Sequence, residues 1–352
     1  MDSFLECAKR YHDRPAGANA DAGAGAEDNQ ATRLAGKLPS APDCVVHPDL
    51  QNFLAELNKS NSPLPPASPP RQAAAAGLPD QERHSRELSQ AYETLQRRND
   101  EFRHELAMAR KVQTTFIPGA ADFPQRPELD FAGYYEAMAD VGGDLYDVIR
   151  IGKNAYGLIM ADVSGHGVAA ALVTALVKIA FRSRMHWGVA TDQVCRAVNE
   201  ELYDILGEGE RYVTAFVAIV NLEDGSIEYT NAGHHPGLLL RDGAVRQLDS
   251  KGNFLGIFEA PEYTAQREPL QAGDRIILFT DGIIEARSYL DEEYGHHRLE
   301  EALRDHAGDQ PTELVKAVTR DLDGFTMGAP AHDDRALLCT LFNGRCPAPE
   351  AI

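Results

Sequence analysis

The chain has 352 residues, of which 43% are hydrophobic, so it can bury a sizeable core as one large domain with an appendage or as two modest domains. Its formal net charge is -20, from 54 acidic and 34 basic residues, which disfavours binding to nucleic acid because tracking a phosphate backbone requires Lys and Arg. The acidic surplus is instead typical of soluble proteins and of carboxylate clusters that hold cations.

Neither a disulfide framework nor a zinc site is predicted, because the chain contains no CxxC pair among its five scattered cysteines, Cys7, Cys44, Cys195, Cys339 and Cys346. The N-terminal stretch lacks the apolar region of a secretory signal. The longest apolar run, 168–181, is interrupted by Lys178 and is too short to span a bilayer. We therefore expect a cytoplasmic protein with no membrane insertion.

Residues 1–80 are predicted to be a low-complexity, largely disordered tether, because proline at the density of SPLPPASPPRQAAAAGLP removes backbone donors and opposes a packed core. One island at 47–59 has apolar residues at helical spacing: Leu50, Phe53, Leu54 and Leu57. It is interpreted either as a short helix folded onto the main domain or as a docking peptide for a partner.

Residues 81–117 are predicted to form a linker helix with a heptad seam, which Pro118 ends. The seam residues alternate in steps of four and three: Leu88, Tyr92, Leu95, Asn99, Phe102, Leu106, Ala109, Gln113 and Phe116. A parallel dimer often keeps one polar residue at the position that Asn99 occupies. The pattern favours a homodimeric coiled coil, and the alternative is a single helix packed on its own catalytic domain.

Residues 118–345 have the pattern of an α+β domain, followed by a tail at 346–352. Strand-like stretches are LDFAGYYEA, DLYDVIRI, AYGLIMADV, YVTAFVAIVNL, SIEYTNAG, GLLLRDG, RIILFTDG and RALLCTLF. Helical patterns cover 167–185, 191–206, 296–307 and 311–323. Because the helices come in pairs rather than alternating with strands, the order favours antiparallel sheets covered by helices over a doubly wound parallel sheet.

Four short segments place acidic residues at the ends of predicted strands. They are VGGDLYDV with Asp144, ADVSGHG with Asp162, FTDG with Asp281, and HDD with Asp333 and Asp334. Carboxylates are costly to bury unless they are paired or bound to metal. If these strand ends meet, the repulsion between the carboxylates implies bound cations, and all-oxygen ligation favours Mg²⁺ or Mn²⁺ over zinc.

Two such ions can hold a water between them and clamp the entering and leaving oxygens of a phosphate ester, which would permit hydrolysis by direct attack of water on phosphorus. Seven segments together resemble the SpoIIE-like (RsbU-type) bacterial branch of the metal-dependent PPM protein phosphatases over about residues 104–342. In chain order they are ELAMARKVQTTFIP, VGGDLYDV, ADVSGHGVAAAL, NAGHHPGLLL, LGIF, GDRIILFTDGIIEA and HDD.

The resemblance implies an α-β-β-α sandwich of two mainly antiparallel sheets and a site for two Mn²⁺ or Mg²⁺ ions. Asp162 matches the carboxylate that bridges both ions, and Val163 the residue that offers its backbone carbonyl. Asp144, Asp281 and one of the pair Asp333 and Asp334, with Asp333 favoured, match the other ligands. The implied catalytic residues are Asp162, Asp144 and His166.

The resemblance also implies hydrolysis of phosphoserine or phosphothreonine on a STAS-domain anti-sigma-factor antagonist in a partner-switching pathway. An upstream regulator is expected to act through the N-terminal region or the linker helix. One departure is Ala336, where the family usually has Thr after the final acidic pair. It motivates a second hypothesis, a catalytically weak regulator that binds a phosphoprotein; a nucleotide phosphodiesterase or cyclase is a remote third, because no phosphate-cradling glycine loop is present.

Other residues near the motifs have competing interpretations. His166 is either a turn residue or the donor of a proton to the leaving serine oxygen. Ser164 is expected to be a turn or N-cap residue, and the turn of NAGHHP is expected to be held by side-chain hydrogen bonds. Trp187 is expected in the core, and helix 167–185 is expected to be buried because it is apolar on most faces. Asp147, like Asp334, could be a solvated loop carboxylate.

Overall fold

A computed structural model describes residues 78–207 and 211–345. The predicted tether up to residue 77, its island at 47–59 and the tail at 346–352 lie outside the described residues. Within the described ranges, no helix combines the length and the apolarity needed to cross a membrane.

The first described element is a 37-residue helix, α1 (Leu78–Thr114), close to the predicted linker helix. The structure divides its heptad seam into two parts. The N-terminal seam residues are exposed, with Leu88 at 72% and Leu95 at 67%. Towards the C-terminal end Leu106 and Ala109 are half-buried and Gln113 is buried against the domain. The last turns of α1 therefore pack on the chain's own domain, while the first part of the seam has no cover within the described residues.

Ten strands follow, with five helices between them. The strands are β1 (Leu129–Glu136), β2 (Asp144–Arg150), β3 (Ala155–Val163), β4 (Val213–Asn221), β5 (Ser226–Ala232), β6 (Gly237–Arg241), β7 (Ala244–Leu248), β8 (Gln266–Pro269), β9 (Asp274–Phe279) and β10 (Arg335–Phe342). The helices are α2 (Val168–Arg184), α3 (Thr191–Leu206), α4 (Asp281–Ile284), α5 (Gly295–Asp305) and α6 (Pro311–Thr326).

The strands form two five-stranded antiparallel sheets, in the orders β1-β10-β9-β6-β7 and β2-β3-β4-β5-β8. Apolar side chains between the sheets make one core, to which Tyr156 and Phe216 contribute. A second core joins α2 and α3 to the β3–β4 sheet, and a third joins α5 and α6 to the β9–β10 sheet. The α-β-β-α sandwich predicted from the sequence is confirmed.

Eight of these strands coincide with the predicted stretches, and β3 has the predicted bounds. Strands β7 and β8 were not predicted. Both lie at sheet edges and carry mostly exposed side chains, so they lack the apolar alternation from which strands are predicted. The single turn α4 was not predicted either, because it is too short to show helical periodicity.

Two burial predictions were wrong. Helix α2 buries one face, but Leu172 and Ile179 on the other face are 66% and 63% exposed. The run is apolar on both faces, so composition could not identify the covered one. Trp187 is 53% exposed and lines a surface cavity of about 280 Å³ at the end of the β3–β4 sheet remote from Asp162.

Candidate active site

The acidic segments converge at one end of the sandwich, beginning with the hairpin of β2 and β3. Asp144 is the first residue of β2, and the antiparallel register sets it directly opposite Asp162 near the end of β3. Val163 lies next to them, and its N–H donates to the Gly143 carbonyl at 3.1 Å. The first two predicted carboxylates are therefore cross-strand neighbours.

The other sheet contributes the remaining acids from the adjoining strands β9 and β10. Asp281 follows β9 and opens α4, while Asp333 and Asp334 immediately precede β10. The two strands are held together here, because the Thr280 N–H donates to the Ala336 carbonyl at 3.1 Å and the Ala336 N–H donates to Thr280 Oγ1 at 2.9 Å. All the predicted ligand segments thus meet at this end of the two sheets.

Electrostatics indicates that these carboxylates act on one another. Burial, and then the charges of Asp281 and Asp333 with that of Asp334, raise the pKa of Asp162 to about 7. Burial and the neighbouring Asp162 raise the pKa of Asp144 well above its usual value, against a hydrogen bond from Thr280. Burial likewise raises the pKa of Asp281 and that of Asp333. Such a cluster disfavours its own ionisation unless cations offset the charge.

One buried oxygen of Asp144 indicates whether this site suits a cation. Its Oδ2 is buried without a hydrogen-bond partner, although buried polar atoms are normally satisfied. The donor set around it consists of carboxylates and a backbone carbonyl, which suits hard divalent ions. The described side chains do not, however, form a ready-made group of three or more His, Cys, Asp or Glu at ligand spacing. In donor chemistry the residues fit Mg²⁺ or Mn²⁺.

The two adjacent acids before β10 have different environments. Asp334 is 4% exposed, and its two oxygens accept hydrogen bonds from the N–H groups of Met138 at 2.7 Å and Gly143 at 2.5 Å. Asp333 is exposed, and its Oδ1 accepts only from the N–H of Asp334 within this segment. Asp334 therefore fixes the loop before β2 by hydrogen bonds, whereas the carboxylate of Asp333 is available to bind a ligand.

Thr280 provides a hydroxyl close to the position where Ala336 lacks one. Its Oγ1 accepts from the Ala336 N–H at 2.9 Å, and its hydroxyl opposes the rise that burial causes in the pKa of Asp144. The sequence analysis did not single out Thr280, although it stands in the FTDG segment. Support for Asp144 therefore comes from the end of β9, so the departure at Ala336 does not leave this carboxylate without a hydroxyl partner.

Asp147 takes no part in this cluster. It is fully buried on β2 and forms ion pairs with Lys178 at 3.0 Å and Arg182 at 2.7 Å on α2. The interpretation of Asp147 as a solvated loop carboxylate was wrong, and so was the same interpretation of Asp334. Both are buried acids with structural partners, which spacing along the chain could not reveal.

Beside the acids lies a cleft of about 230 Å³. It is lined by Asp162, Ser164, Tyr212, Thr214, Gly233, His234, His235, Phe254 and Asp281. Tyr212 and Phe254 stack with ring centroids 4.8 Å apart and give the cleft an aromatic wall. Neither aromatic residue was identified from the sequence: Tyr212 begins a strand-like stretch and Phe254 directly precedes the LGIF segment, but only the fold brings the two rings together.

The histidines of NAGHHP have separate environments. The turn is held as predicted, since Asn231 Oδ1 accepts from the His234 N–H and Asn231 Nδ2 donates to the His234 carbonyl. The His234 ring is buried between the Thr214 hydroxyl at 2.8 Å and the Phe279 carbonyl at 3.1 Å, and burial lowers its pKa to about 3. His235 is half-buried in the cleft, where the charge of Asp281 acts against the lowering of its pKa by burial.

His166 and Ser164 follow Asp162 in the turn before α2. Ser164 Oγ accepts from the Tyr212 N–H at 2.9 Å, which confirms a turn role. His166 is exposed, and its charge lowers the pKa of Asp333. The structure therefore places His166 on the surface beside Asp333.

The chain matches a known protein family. The family model described as "Stage II sporulation protein E (SpoIIE)" matches residues 152–343. The chain belongs to the SpoIIE family. This family is the bacterial SpoIIE-like branch of the metal-dependent PP2C-type protein serine/threonine phosphatases, so the resemblance noted in the sequence is confirmed.

Curated relatives of this SpoIIE-family chain include two proteins of Bacillus subtilis (strain 168). Phosphoserine phosphatase RsbU is 28% identical over 257 residues, which is 71% of this chain and 73% of RsbU. Phosphoserine phosphatase RsbP is 27% identical over 244 residues, which is 67% of this chain but only 57% of RsbP.

Solved structures share the fold. The SiaA-PP2C domain of Pseudomonas aeruginosa superposes with a TM-score of 0.62 at 22% identity, covering 69% of this chain and 98% of that domain. The RsbU and RsbW domains of Rv1364c from Mycobacterium tuberculosis give a TM-score of 0.55 at 26% identity, covering 64% of this chain and 62% of that one.

Proposed function

We propose that this SpoIIE-family chain removes phosphate from phosphoserine or phosphothreonine on a protein, using two divalent cations, Mn²⁺ or Mg²⁺. The observation that carries the proposal is the convergence of carboxylates from both sheets around Asp144, whose Oδ2 is buried without a partner. Buried carboxylates that repel one another are stabilised by bound cations, whereas buried acids paired with basic side chains need none.

We assign the ligands from this geometry and the family match. Asp162 would bridge the two cations, and Val163 would offer its carbonyl. Asp144 and Asp281 would complete the set with Asp333, because the oxygens of Asp334 already accept backbone N–H groups. When bound, the cations lower the pKa of water and neutralise charge on the phosphate.

The chain's own residues would orient the substrate beside this cluster. The aromatic wall of Tyr212 and Phe254 faces the same cleft as Asp162 and can hold the peptide around a phosphorylated residue. His166 is exposed beside Asp333 and would supply the proton to the departing serine or threonine oxygen. Its exposure keeps it in exchange with solvent protons.

The proposed substrate is a phosphorylated STAS-domain anti-sigma-factor antagonist in a bacterial partner-switching pathway. Support comes from the relatives RsbU and RsbP, both named phosphoserine phosphatases. The deep acidic end of the cleft and its aromatic wall are compatible with a phosphorylated side chain presented from a protein surface.

We further propose that residues 118–345 are the phosphatase domain and that 81–117 form a linker helix that dimerises. The exposed apolar seam from Leu88 to Phe102 supports this division, because an isolated helix gains nothing by exposing such residues to water. An upstream regulator would act through this helix or through the segment before it.

The test is phosphate release from a phosphoserine STAS-domain protein, with Mn²⁺ or with a chelator. We expect release only with the metal, and a loss of at least 100-fold in Asp162→Ala, because catalysis depends on the cations it holds. Asp305→Asn, which changes an exposed acid on α5, is the matched control and should keep full activity. Metal-independent release, or full activity of Asp162→Ala, would refute the proposal.

A further inference from the structure

We propose that Gln113, at the end of α1, is a positioning residue that holds the loop before Asp144 in its metal-binding conformation. This inference rests on the proposed function. It assigns a role at the metal site to a residue that lies 31 positions before Asp144 and that the sequence pattern placed in a coiled-coil seam.

The primary observation is a pair of hydrogen bonds between one side chain and one backbone residue. Gln113 Nε2 donates to the Gly142 carbonyl at 2.6 Å, and Gln113 Oε1 accepts from the Gly142 N–H at 3.0 Å. Gln113 is only 4% exposed, so water does not compete for these bonds. A primary amide has both a donor and an acceptor and can satisfy both groups of one backbone residue.

The same loop is also held by Asp334, which accepts from the N–H groups of Met138 and Gly143. Thr174 on α2 adds a hydroxyl 3.2 Å from the Gly143 carbonyl. Gln113 is therefore one of three side chains, from three separate elements, that fix the two residues immediately before Asp144.

Close packing allows this loop little freedom to move without disturbing the site. A Cβ on Gly142 would lie 2.3 Å from Asp334 Oδ2, and a Cβ on Gly143 would lie 2.7 Å from the Val163 carbonyl oxygen. The Gly143 carbonyl in turn accepts from the Val163 N–H at 3.1 Å. A displacement of Gly142 would therefore also displace Asp144, two residues later in the chain. It would displace Val163 as well, because Val163 is hydrogen-bonded to Gly143 across the hairpin.

An apolar seam residue could not replace Gln113. It would leave the buried Gly142 N–H without a partner and the Gly142 carbonyl with only the Thr174 hydroxyl at 3.5 Å, and unpaired buried polar groups are costly. A glutamate would keep an acceptor for the Gly142 N–H but would set a carboxylate oxygen against the Gly142 carbonyl. The polar residue at this seam position is thus explained by the loop it binds, without reference to a dimer.

The experiment uses the full chain with Gln113→Ala, Gln113→Glu and the matched control Gln90→Ala, which changes an exposed glutamine on α1. Calorimetry measures Mn²⁺ affinity, and amide hydrogen exchange of residues 141–144 is followed in metal-free protein. Loss of a group that orients a ligand typically weakens metal binding 10–100-fold. We expect that loss in both Gln113 variants, faster exchange of the loop, and lower kcat with unchanged KM for the phosphoprotein.

The outcomes separate this inference from the proposed function. Wild-type Mn²⁺ affinity and loop protection in Gln113→Glu would overturn the inference, even if Gln113→Ala fails to fold. Equal weakening in Gln90→Ala would also overturn it, because the effect would then belong to the helix in general. Absence of metal-dependent activity in the wild-type chain would instead refute the proposed function.

Discussion

Asp333 and Asp334 are adjacent in the chain, yet their substitution is expected to have different effects. A change at Asp333 should lower metal affinity, and a change at Asp334 should lower stability. In Asp333→Asn we expect Mn²⁺ affinity to fall by at least tenfold, with no loss in the unfolding free energy of the metal-free protein, because one charge of a repelling cluster is removed. Calorimetry with Mn²⁺ and urea unfolding in chelator measure the two effects.

Asp334→Asn is expected to destabilise the metal-free protein by about 1–3 kcal/mol, because an NH2 donor replaces one of the two oxygens that accept from the N–H groups of Met138 and Gly143. Comparison with Asp333→Asn under the same conditions provides the control. If Asp334→Asn kept full stability but lost metal binding, the ligand assignment within the pair would have to be reversed.

His234 should make stability depend on pH. Its pKa is lowered to about 3 by burial, from an ordinary value of 6.5, so between these values the unfolded chain binds a proton that the folded chain does not. Stability from this group is therefore present above pH 6.5 and is lost as pH falls, at about 1.4 kcal/mol per pH unit.

The measurement is the difference in unfolding free energy between the wild-type chain and His234→Gln from pH 7.5 to 4.5. The difference isolates His234 from the carboxylates, whose raised pKa values act in the opposite direction. A difference that is constant across this range would show that His234 is accessible to protons in the folded protein.

At the residue scale, motifs predicted the acids but not their partners. Asp162 and Asp144 could be predicted because strand ends and glycine turns are local features. Gln113 and Thr280 could not, since their roles depend on contacts with Gly142 and Asp144 that only the fold creates. The one signal for Gln113 in the sequence was a polar residue at a seam position of the heptad pattern, where apolar residues are usual.

At the element scale, the exposed half of the α1 seam makes a prediction about assembly. We expect Leu95→Glu to convert a dimer into a monomer, because a charge in a seam of facing apolar residues would be buried without a partner. Light scattering after gel filtration, over a range of concentrations, measures the mass.

Thr94→Glu is the matched control for this change, since Thr94 is exposed and bonds only to the Gln90 carbonyl of its own helix. It should leave the mass unchanged. A wild-type chain that stays monomeric at high concentration would contradict the coiled-coil interpretation.

Prediction succeeded for elements that have a strong local signal in the sequence. Strand β3 was found with its bounds because an apolar run ends at a polar turn, whereas β7 and β8 were missed because edge strands carry mixed, exposed side chains. Helix α2 was located, but its exposed face was not foreseen, since Leu172 and Ile179 look like core residues in the sequence.

At the scale of the whole molecule, cation binding should stabilise an acidic chain of net charge -20. Because the unfolded chain lacks the assembled site, Mn²⁺ at about 100 times its dissociation constant should add about 2.7 kcal/mol to the unfolding free energy. Urea unfolding with Mn²⁺ or chelator measures this gain. Asp162→Ala should abolish it and Asp305→Asn should retain it; an equal gain in Asp162→Ala would indicate binding elsewhere.

The position of β10 determines when, during synthesis, the enzyme can first act. Among the described strands, β1 pairs only with β10, and β10 also pairs with β9, so this sheet lacks its inner strand until Arg335–Phe342 has left the ribosome. The same segment follows Asp333 and Asp334, which complete the acidic cluster. A nascent chain that ends before β10 therefore lacks both the strand that joins β1 to β9 and the last acids of the candidate site.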